Sequence, residues 1–381
     1  MSFENIYLLP DEYNDLRASV RDLATKEIEP YAHSVDEDHR YPREAHEALV
    51  KSGLFAAHVP TVNGGDGADA LAMVIIIEEI ARVCGSASLI PAVNKLGSFP
   101  LILGGSEEQK NKWLPQLAKG KGFSYCLSES EAGSDAAALK TKAERVGDNW
   151  VINGSKKWIS NAGESEFYTV IAQTDPSLGS KGITAFVVEK SDPGITFGAP
   201  EKKMGFRGSP TREVYFDNVT IGDDRRISEI GKGFALAMDT LDHTRITIAA
   251  QALGLAQGAF DAAKKYSHER KQFGKEIFDF QGVQFMLADM AIAIESARQL
   301  TYAAAAKSER GDADLKFFSA ACKTLATDVA MKVTTDAVQV LGGYGYVSDY
   351  PVERMMRDSK LTQIYEGTNQ IQRIVVARNL P

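Results

Sequence analysis

A short run near the C-terminus contains the residues best suited to chemistry. It extends from Lys360 to Arg373, and within it Glu366 is the only carboxylate between Asp358 and the end of the chain. Because Gly367 follows directly and has no Cβ, a ligand could come close to the backbone beside that carboxylate. These residues favour a general base held beside a binding surface. They are equally compatible with a glutamate that caps or decorates a terminal helix.

A second group of residues suited to binding lies in the middle of the chain. Ser128 and Ser134 flank a turn where hydroxyl and backbone N–H groups could donate to the polar edge of a ring or to a phosphate. Trp158 could stack on a planar ring, with Ser160 hydrogen-bonding beside it. The alternatives are a polar turn that closes a hairpin and a tryptophan that belongs to the core.

Two later segments could also bind a phosphorylated ligand. The guanidinium fork of Arg270 matches phosphate oxygens and suits a pyrophosphate. A solvated cation at a helix end, stabilised by the helix dipole, is the alternative. Gly342 and Gly343 could form no more than a helix C-cap.

One glycine pattern predicts a loop and not a nucleotide site. The segment from Gly65 to Ala70 matches the dinucleotide pattern G-x-G-x-x-A and precedes a helical run. Pro60 interrupts the strand that this motif requires, and no β-α-β unit follows. We therefore interpret the segment as a glycine-rich loop that enters a helix.

Charge and cysteine content exclude several functional classes. The chain has 51 acidic and 43 basic residues, a net charge of −8, and no block of five or more Lys or Arg, so nucleic acid is not an expected partner. The three cysteines, Cys84, Cys126 and Cys322, are widely spaced and form no C-x-x-C pair. Neither a disulfide framework nor a metal site is expected, and a reducing compartment fits best.

The apolar runs argue against targeting to or across a membrane. The first ten residues lack the basic region and long apolar core of a signal peptide. The longest unbroken apolar run, residues 70–77, is far too short to span a bilayer. A cytoplasmic location without membrane insertion is therefore expected.

The elements that must position these residues follow a three-part order. Residues 1–120 show helical spacing, 121–228 contain short β-branched and aromatic runs, and 229–381 return to helical spacing. The expected fold is mixed and mainly α. It comprises an N-terminal helical domain, a middle antiparallel β domain of barrel-like form and a C-terminal four-helix bundle. In the first domain, residues 106–109 predict a capping box and residues 68–84 a helix buried on more than one face.

Local patterns predict the individual strands and long helices. Asn153-Gly154, between two of the strand-like runs, predicts a two-residue hairpin turn. The expected strands are residues 123–127, 150–152, 156–159, 168–173, 183–188 and 213–216. The expected long helices are residues 233–270, 281–311 and 313–341, after which Pro351 starts a return toward Glu366.

Five ordered segments resemble the acyl-CoA dehydrogenase family. Each is weak alone, but their order along a helix–β–helix chain of this length is specific. They are Tyr125 to Asp135 with Lys157 to Asn161, Arg270 to Gly274 with Gln281, Gln339 to Gly345, Arg357-Asp358, and Ile364 to Thr368.

The resemblance implies that FAD lies between the β domain and the bundle. It also implies that part of the site comes from a neighbouring subunit, so that a homo-oligomer, typically a tetramer, is required. The implied FAD contacts within the subunit are Tyr125, Leu127, Ser128, Gly133, Ser134, Trp158, Ile159, Ser160, Thr368 and Gln370. Those that reach the neighbour's FAD are Arg270, Gln281, Gln339, Gly342 and Gly343, and Phe273 is a further FAD contact.

The resemblance also implies a reaction. An acyl-CoA thioester loses its α proton to Glu366 and its β hydride to flavin N5, giving a trans-2-enoyl-CoA, and an electron-transfer flavoprotein accepts the electrons. The backbone N–H of Glu366 is the implied donor to the thioester carbonyl. Ser134, Gly367, Asp242 and Arg245 are implied substrate contacts, although an intrahelical salt bridge is the alternative for the last two.

Two features refine this expectation. Some relatives carry the base at the position that Thr244 occupies here, and a threonine cannot act as a carboxylate base. Ser130 and Glu131 depart from the usual flavin loop of the family and add a charge near its entrance. The chain looks most like short-chain and short branched-chain members, which act in fatty-acid or branched-chain amino-acid degradation. Rival hypotheses are a flavin oxidase or monooxygenase on the same fold, and a non-catalytic helical interaction protein.

Overall fold

A computed structural model of the protein describes residues 9–380, and its first region is helical. The sequence predicts no signal peptide in residues 1–10, and most of these residues lie outside the described part of the chain. The predicted capping box is confirmed, because Ser106 and Gln109 exchange side-chain to backbone hydrogen bonds of 2.8 and 3.2 Å. The helices are α1 Asp11–Leu23, α2 Ala32–Glu37, α3 Arg43–Lys51, α4 Ala70–Ala81, α5 Gly85–Gly104 and α6 Glu107–Ala118.

Helix α4 confirms the prediction of a helix buried on more than one face, since nearly all of its residues are buried. The glycine-rich segment before it is a loop that ends at Asp69, whose carboxylate caps the helix by accepting from the backbone N–H of Ala72 at 2.7 Å. No strand occurs among residues 9–122, so the interpretation as a loop is confirmed.

Helix α5 is a core helix that carries part of the site. Within the described residues it alone is long and apolar enough to cross a membrane, but 72% of that apolar window is buried inside the protein. It packs against the first strand of the sheet and against the longest C-terminal helix. Burial against these neighbours accounts for its apolar composition.

The middle region is a seven-stranded sheet that is mainly antiparallel, as predicted. The strands are β1 Phe123–Cys126, β2 Lys142–Val146, β3 Asn149–Ser160, β4 Phe167–Gln173, β5 Ile183–Glu189, β6 Ile195–Phe197 and β7 Thr211–Gly222. The strand order is β1-β4-β2-β3-β7-β6, with β5 also pairing with β4. Strands β1 and β2 both run parallel to β4, and the local patterns did not indicate these two parallel pairings.

The predicted hairpin at Asn153-Gly154 is wrong, because both residues lie inside the continuous strand β3. Strand β3 pairs with β2 on one side and with β7 on the other, and this pairing keeps the chain extended. Gly154 marks a register shift against β7, and a Cβ there would lie 2.7 Å from Thr141. The turn between β2 and β3 lies earlier, where Gly147 has a φ of +62°.

The C-terminal region returns to helices, and the three predicted long helices are confirmed within a few residues. One buried apolar cluster continues from α1 through both helical regions, and a second fills the sheet. The elements are α7 Gly233–Glu269, the short hairpin β8 Lys271–Gln272 and β9 Lys275–Glu276, α8 Gln281–Arg310, α9 Leu315–Leu341, α10 Pro351–Thr362 and α11 Asn369–Arg378.

Candidate active site

Glu366 lies in the sharp turn between α10 and α11. Glu366 and Gly367 both have positive φ, +50° and +91°, and the second value is strained for any residue with a Cβ. The side chain of Thr368 caps α11 by accepting from the backbone N–H of Ile371 at 3.3 Å. Glu366 itself is therefore free of any capping role at this helix.

The carboxylate of Glu366 faces helix α7. The hydroxyl of Thr244, which is fully buried, donates to its Oε2 at 2.7 Å. Burial raises the pKa of Glu366 to about 7, and this effect outweighs the hydrogen bond from Thr244 and the charges of Arg245, Lys323 and Lys95, which all favour the ionised form. A carboxyl group with this pKa can accept and release a proton near neutral pH.

Two buried side chains hold the backbone of the turn. The Gln372 side-chain amide donates to the carbonyl oxygens of Glu366 and Gly367 at 2.9 and 3.0 Å. The ammonium of Lys323, on α9, donates to the same Gly367 oxygen and to Oδ1 of Asn369, both at 2.9 Å. These bonds fix the two peptide planes that follow Glu366 and Gly367, and with them the course of the turn that carries the carboxylate.

Sequence reasoning missed Lys323 and Gln372, and it gave Thr244 no role beyond excluding a second base. Lys323 is fully buried, and burial lowers its pKa to about 7 while Glu366 opposes the change. Its only sequence signal is a lysine at a position where the helical spacing of α9 predicts a buried residue. Its contact with Gly367 lies 44 positions away in the sequence, and no motif indicates it.

Buried polar atoms without partners mark the space beside Glu366. Asp242 and Arg245 form the intrahelical salt bridge that the sequence left open, with 2.6 Å between Oδ1 and Nη1. The Nε of Arg245 and the hydroxyl of Tyr125 are buried and have no hydrogen-bond partner among residues 9–380. Burial raises the pKa of Tyr125, and the charge of Glu366 adds to the effect. Buried donors are rarely left unpaired, so these two groups fit a polar ligand.

The residues expected to contact the flavin within the subunit differ in exposure. Tyr125, Leu127 and Ile159 are buried, whereas Gly133, Ser134 and Gln370 are exposed and Ser128, Ser160 and Thr368 are partly buried. Trp158 is 57% exposed and has a φ of +65°, at a register shift near the end of β3. The alternative that assigned this tryptophan to the core is wrong.

The residues expected to reach a neighbouring subunit form a separate, exposed group. The Arg270 guanidinium lies 5.6 Å from the centroid of the Tyr344 ring, which places the end of α7 beside the turn after α9. Arg270 follows Thr244 by 26 positions, about 39 Å along a helix. These residues therefore lie far from Glu366 of the same chain. The exposed members are Arg270, Gln281, Gln339, Gly342 and Gly343, and Phe273, the further expected FAD contact, is exposed as well.

The residues present fit a flavin. The exposed indole of Trp158 offers a surface on which a planar ring can stack, and the hydroxyls of Ser128 and Ser134 can donate to a polar ring edge or a phosphate. A Cβ at Gly342 or Gly343 would meet no atom within 4 Å, so this backbone is open to a ligand or partner. The described residues contain no group of three or more His, Cys, Asp or Glu side chains that could hold a metal.

Comparison with known proteins gives matches over the whole chain. The family models for the N-terminal, middle and C-terminal domains of acyl-CoA dehydrogenase match residues 10–121, 124–219 and 231–380. The probable acyl-CoA dehydrogenase fadE25 of Mycobacterium leprae is 59% identical over 377 residues, covering 99% of this chain and 97% of its own. The short-chain specific acyl-CoA dehydrogenase of Clostridium acetobutylicum is 45% identical over 371 residues, covering 97% and 98%.

Solved structures agree with these relatives. Butyryl-CoA dehydrogenase from Megasphaera elsdenii superposes with a TM-score of 0.95 at 41% identity, covering 98% of this chain and 99% of its own. A chain from the structural work on the electron transferring flavoprotein of Acidaminococcus fermentans gives a TM-score of 0.96 at 43% identity, with the same coverage. The predicted fold class is confirmed, and the chain belongs to the acyl-CoA dehydrogenase family of flavin-dependent oxidoreductases.

Proposed function

We propose that the protein catalyses FAD-dependent α,β-dehydrogenation of an acyl-CoA thioester to the trans-2-enoyl-CoA, with Glu366 as the base. The observation that carries this proposal is the geometry of Glu366. Its carboxyl has a pKa of about 7 and is held at Oε2 by Thr244, in a turn whose carbonyls are fixed from two sides. Such a group is matched to removing a weakly acidic proton near neutral pH.

Each residue of the turn has a separate role in the proposed dehydrogenation. Because Thr244 occupies Oε2, Oε1 of Glu366 is left to take the α proton of the thioester. The backbone N–H of Glu366 donates to the thioester carbonyl, where negative charge develops as that proton leaves. Gly367 has no Cβ and lets the thioester come close to the backbone. When bound, FAD supplies the acceptor for the hydride that leaves the β carbon.

The assignment of FAD to a site shared between subunits rests on distance and exposure. The FAD contacts on the side of Glu366 include Tyr125, Trp158 and Ser160, with Thr368 and Gln370 on the α10–α11 side. The exposed group that includes Arg270 lies too far along α7 to join them within one chain. A second copy of the chain would bring that group to the cofactor, so we propose a homo-oligomer, and the resemblance to the family favours a tetramer.

The substrate and electron acceptor are proposed from the relatives. The names of the Clostridium and Megasphaera proteins specify short-chain and butyryl thioesters, which favours a short acyl chain here. The likeness to a chain studied with an electron transferring flavoprotein supports such a flavoprotein as the electron acceptor. We place the reaction in fatty-acid or branched-chain amino-acid degradation in the cytoplasm.

The proposal is tested by comparing the rate at which the reduced enzyme reduces a dye with the rate at which it reduces oxygen. The purified protein should be yellow, and a panel of acyl-CoA thioesters from butyryl to palmitoyl, with isobutyryl and 2-methylbutyryl, should bleach the flavin and reduce the dye. A structural neighbour of 28% identity is a prolyl acyl carrier protein oxidase, so an oxidase is the alternative. Rapid peroxide formation would favour the oxidase, and a colourless protein would overturn the flavoenzyme assignment.

The charge of Lys323 should influence the pH at which the reaction reaches half of its full rate. Glu366 must be ionised to accept a proton, so kcat/KM should rise with pH through the Glu366 pKa, near 7. In Lys323→Met, Glu366 loses a neighbouring cation that favours ionisation, so the midpoint should move to higher pH and kcat/KM at neutral pH should fall roughly tenfold. The measurement is kcat/KM for one acyl-CoA as a function of pH.

A second lysine on α9 provides the control for this measurement. Lys332 is exposed and pairs with Asp336. The Lys332→Met variant should keep the wild-type midpoint. If Lys323→Met loses rate with no change in the midpoint, Lys323 acts through the backbone of the turn and not through its charge.

A further inference from the structure

Lys95, on α5, is a buried cation for which the described residues supply no direct partner. The residue is 5% exposed. Its ammonium forms no hydrogen bond, and no ion pair within 4.0 Å, with any of residues 9–380, and its recorded contact is the Phe99 ring, 5.6 Å from the centroid. Lysines are almost never buried without a partner, because an ammonium loses its hydration on burial.

Two contacts fix where Lys95 lies. On α5, Ser88 accepts a hydrogen bond of 2.6 Å from Gln251 of α7, and eleven positions later the Phe99 ring packs 5.1 Å from the His243 ring. The two helices therefore run antiparallel along this face. Lys95 follows Ser88 by seven positions and precedes Phe99 by four, which puts all three on one face of α5.

This face of α5 flanks the catalytic carboxylate. At 1.5 Å per residue, Lys95 lies about 6 Å along the helix from the contact between Phe99 and His243. The next residue of α7 after His243 is Thr244, whose hydroxyl binds Glu366. Lys95 also influences the pKa of Glu366, which agrees with their proximity.

Of the three acids that favour the charged form of Lys95, two are engaged elsewhere, and the third is Glu366 itself. Asp69 caps α4 and accepts from Tyr13, and Oε2 of Glu309 accepts from the backbone N–H of Ala70 at 3.0 Å. Both favour the charged form of Lys95, but only over a longer distance than a direct ion pair.

The charge of Lys95 is retained near neutral pH. Burial lowers its pKa to about 8, so the ammonium form still predominates at pH 7. Burial and the charge of Lys95 lower the pKa of both His58 and His243, so the histidines around it are neutral and add no second cation.

We propose that Lys95 is a specificity-determining residue that binds a carboxylate at the far end of the acyl chain. The preferred substrate would then be the CoA monothioester of a short dicarboxylic acid. This inference rests on the proposed dehydrogenation, which places the α carbon at Glu366 and sends the acyl chain along the adjoining face of α5. A purely aliphatic tail would leave the ammonium unpaired and desolvated, whereas a carboxylate would form a charge-assisted hydrogen bond with it.

Matched pairs of thioesters test the proposal on the holoenzyme. Dye reduction is measured with valeryl- and glutaryl-CoA, and with hexanoyl- and adipyl-CoA, so that each pair differs only at the end of the chain. The wild-type protein should show a higher kcat/KM for the dicarboxylic member of at least one pair. In Lys95→Met the ratio of the dicarboxylic to the aliphatic kcat/KM should fall by about 10- to 100-fold, the loss of one charged hydrogen bond. The ratio is used because removing a cation that favours ionised Glu366 lowers both rates alike.

Controls separate this inference from other failures. Lys119→Met removes an exposed lysine near the end of α6 and should leave every ratio unchanged. Lys95→Gln serves as a second variant if the methionine variant does not fold, and the wild-type comparison needs no variant. A wild-type preference for the aliphatic member of both pairs overturns the proposal, as does a dicarboxylic preference that survives in both Lys95 variants. If no thioester bleaches the flavin, the proposed function itself has failed.

Discussion

Replacing Glu366 by glutamine should lower kcat by about 10³-fold or more while the protein still binds flavin. A positioned general base contributes about 10²- to 10⁴-fold, and the structure offers no second carboxylate at the competing position, which is occupied by Thr244. The amide of glutamine keeps the size of the side chain and can still accept from the Thr244 hydroxyl. Flavin absorbance and a stopped-flow assay of flavin bleaching should therefore show a loaded enzyme that turns over very slowly.

Relative to the wild type, the same variant should become more stable as the pH rises. The pKa of Glu366 is raised in the folded protein, from an ordinary 4.5 to about 7, so the stability of the protonated form is fully present below 4.5 and is lost as the pH rises through 7. Glutamine has no such loss. The difference in Tm between Glu366→Gln and the wild type should therefore grow over this range and level off above it.

An exposed glutamate gives the matched control. Glu47→Gln, on α3, should leave both kcat and the pH dependence of Tm unchanged. A Glu366→Gln enzyme that retains activity within tenfold of the wild type would show that another group removes the proton. A Tm difference that does not change with pH would show that the carboxyl is not buried enough to shift its pKa.

The turn that carries Glu366 could be predicted from the sequence because it is local. Glu366, Gly367 and Thr368 are consecutive, and the positive φ of the first two belongs to a turn that the glycine already indicates. Lys323 and Lys95 could not be predicted in this way. Each reaches the site from a different helix. Helical spacing can indicate that a position is buried, but it does not indicate what the side chain will contact there.

The middle sheet shows the same limit. Asn153-Gly154 has the residues of a tight turn, but the pairing of β3 with β2 and β7 overrides that local preference. Trp158 presents the opposite problem, since a strand tryptophan is usually core and this one is exposed. Its exposure makes the ring available to a ligand or a partner, which periodicity alone cannot indicate.

Replacing Gly367 by alanine should lower kcat by about 10²-fold, the second largest effect that we expect. At a φ of +91°, a Cβ on this residue would lie 2.6 Å from Nε2 of Gln372, the same atom that donates to the carbonyls of Glu366 and Gly367. Gln372 is fully buried and cannot swing away, so the turn must move. A displacement of about 1 Å at the reacting group can cost 10²-fold in rate.

Gly311 provides a control that distinguishes the steric clash of an added Cβ from the strain of a positive φ. It ends α8 at a φ of +67°, is exposed, and has no atom within 4 Å of a Cβ built on it. Gly311→Ala should cost about 1 kcal/mol of stability, as an alanine forced to positive φ does, and leave kcat unchanged. In Gly367→Ala, kcat should fall by far more than the decrease in Tm can explain. Equal kcat in the two alanine variants would show that the contact between Gln372 and the turn does not position Glu366.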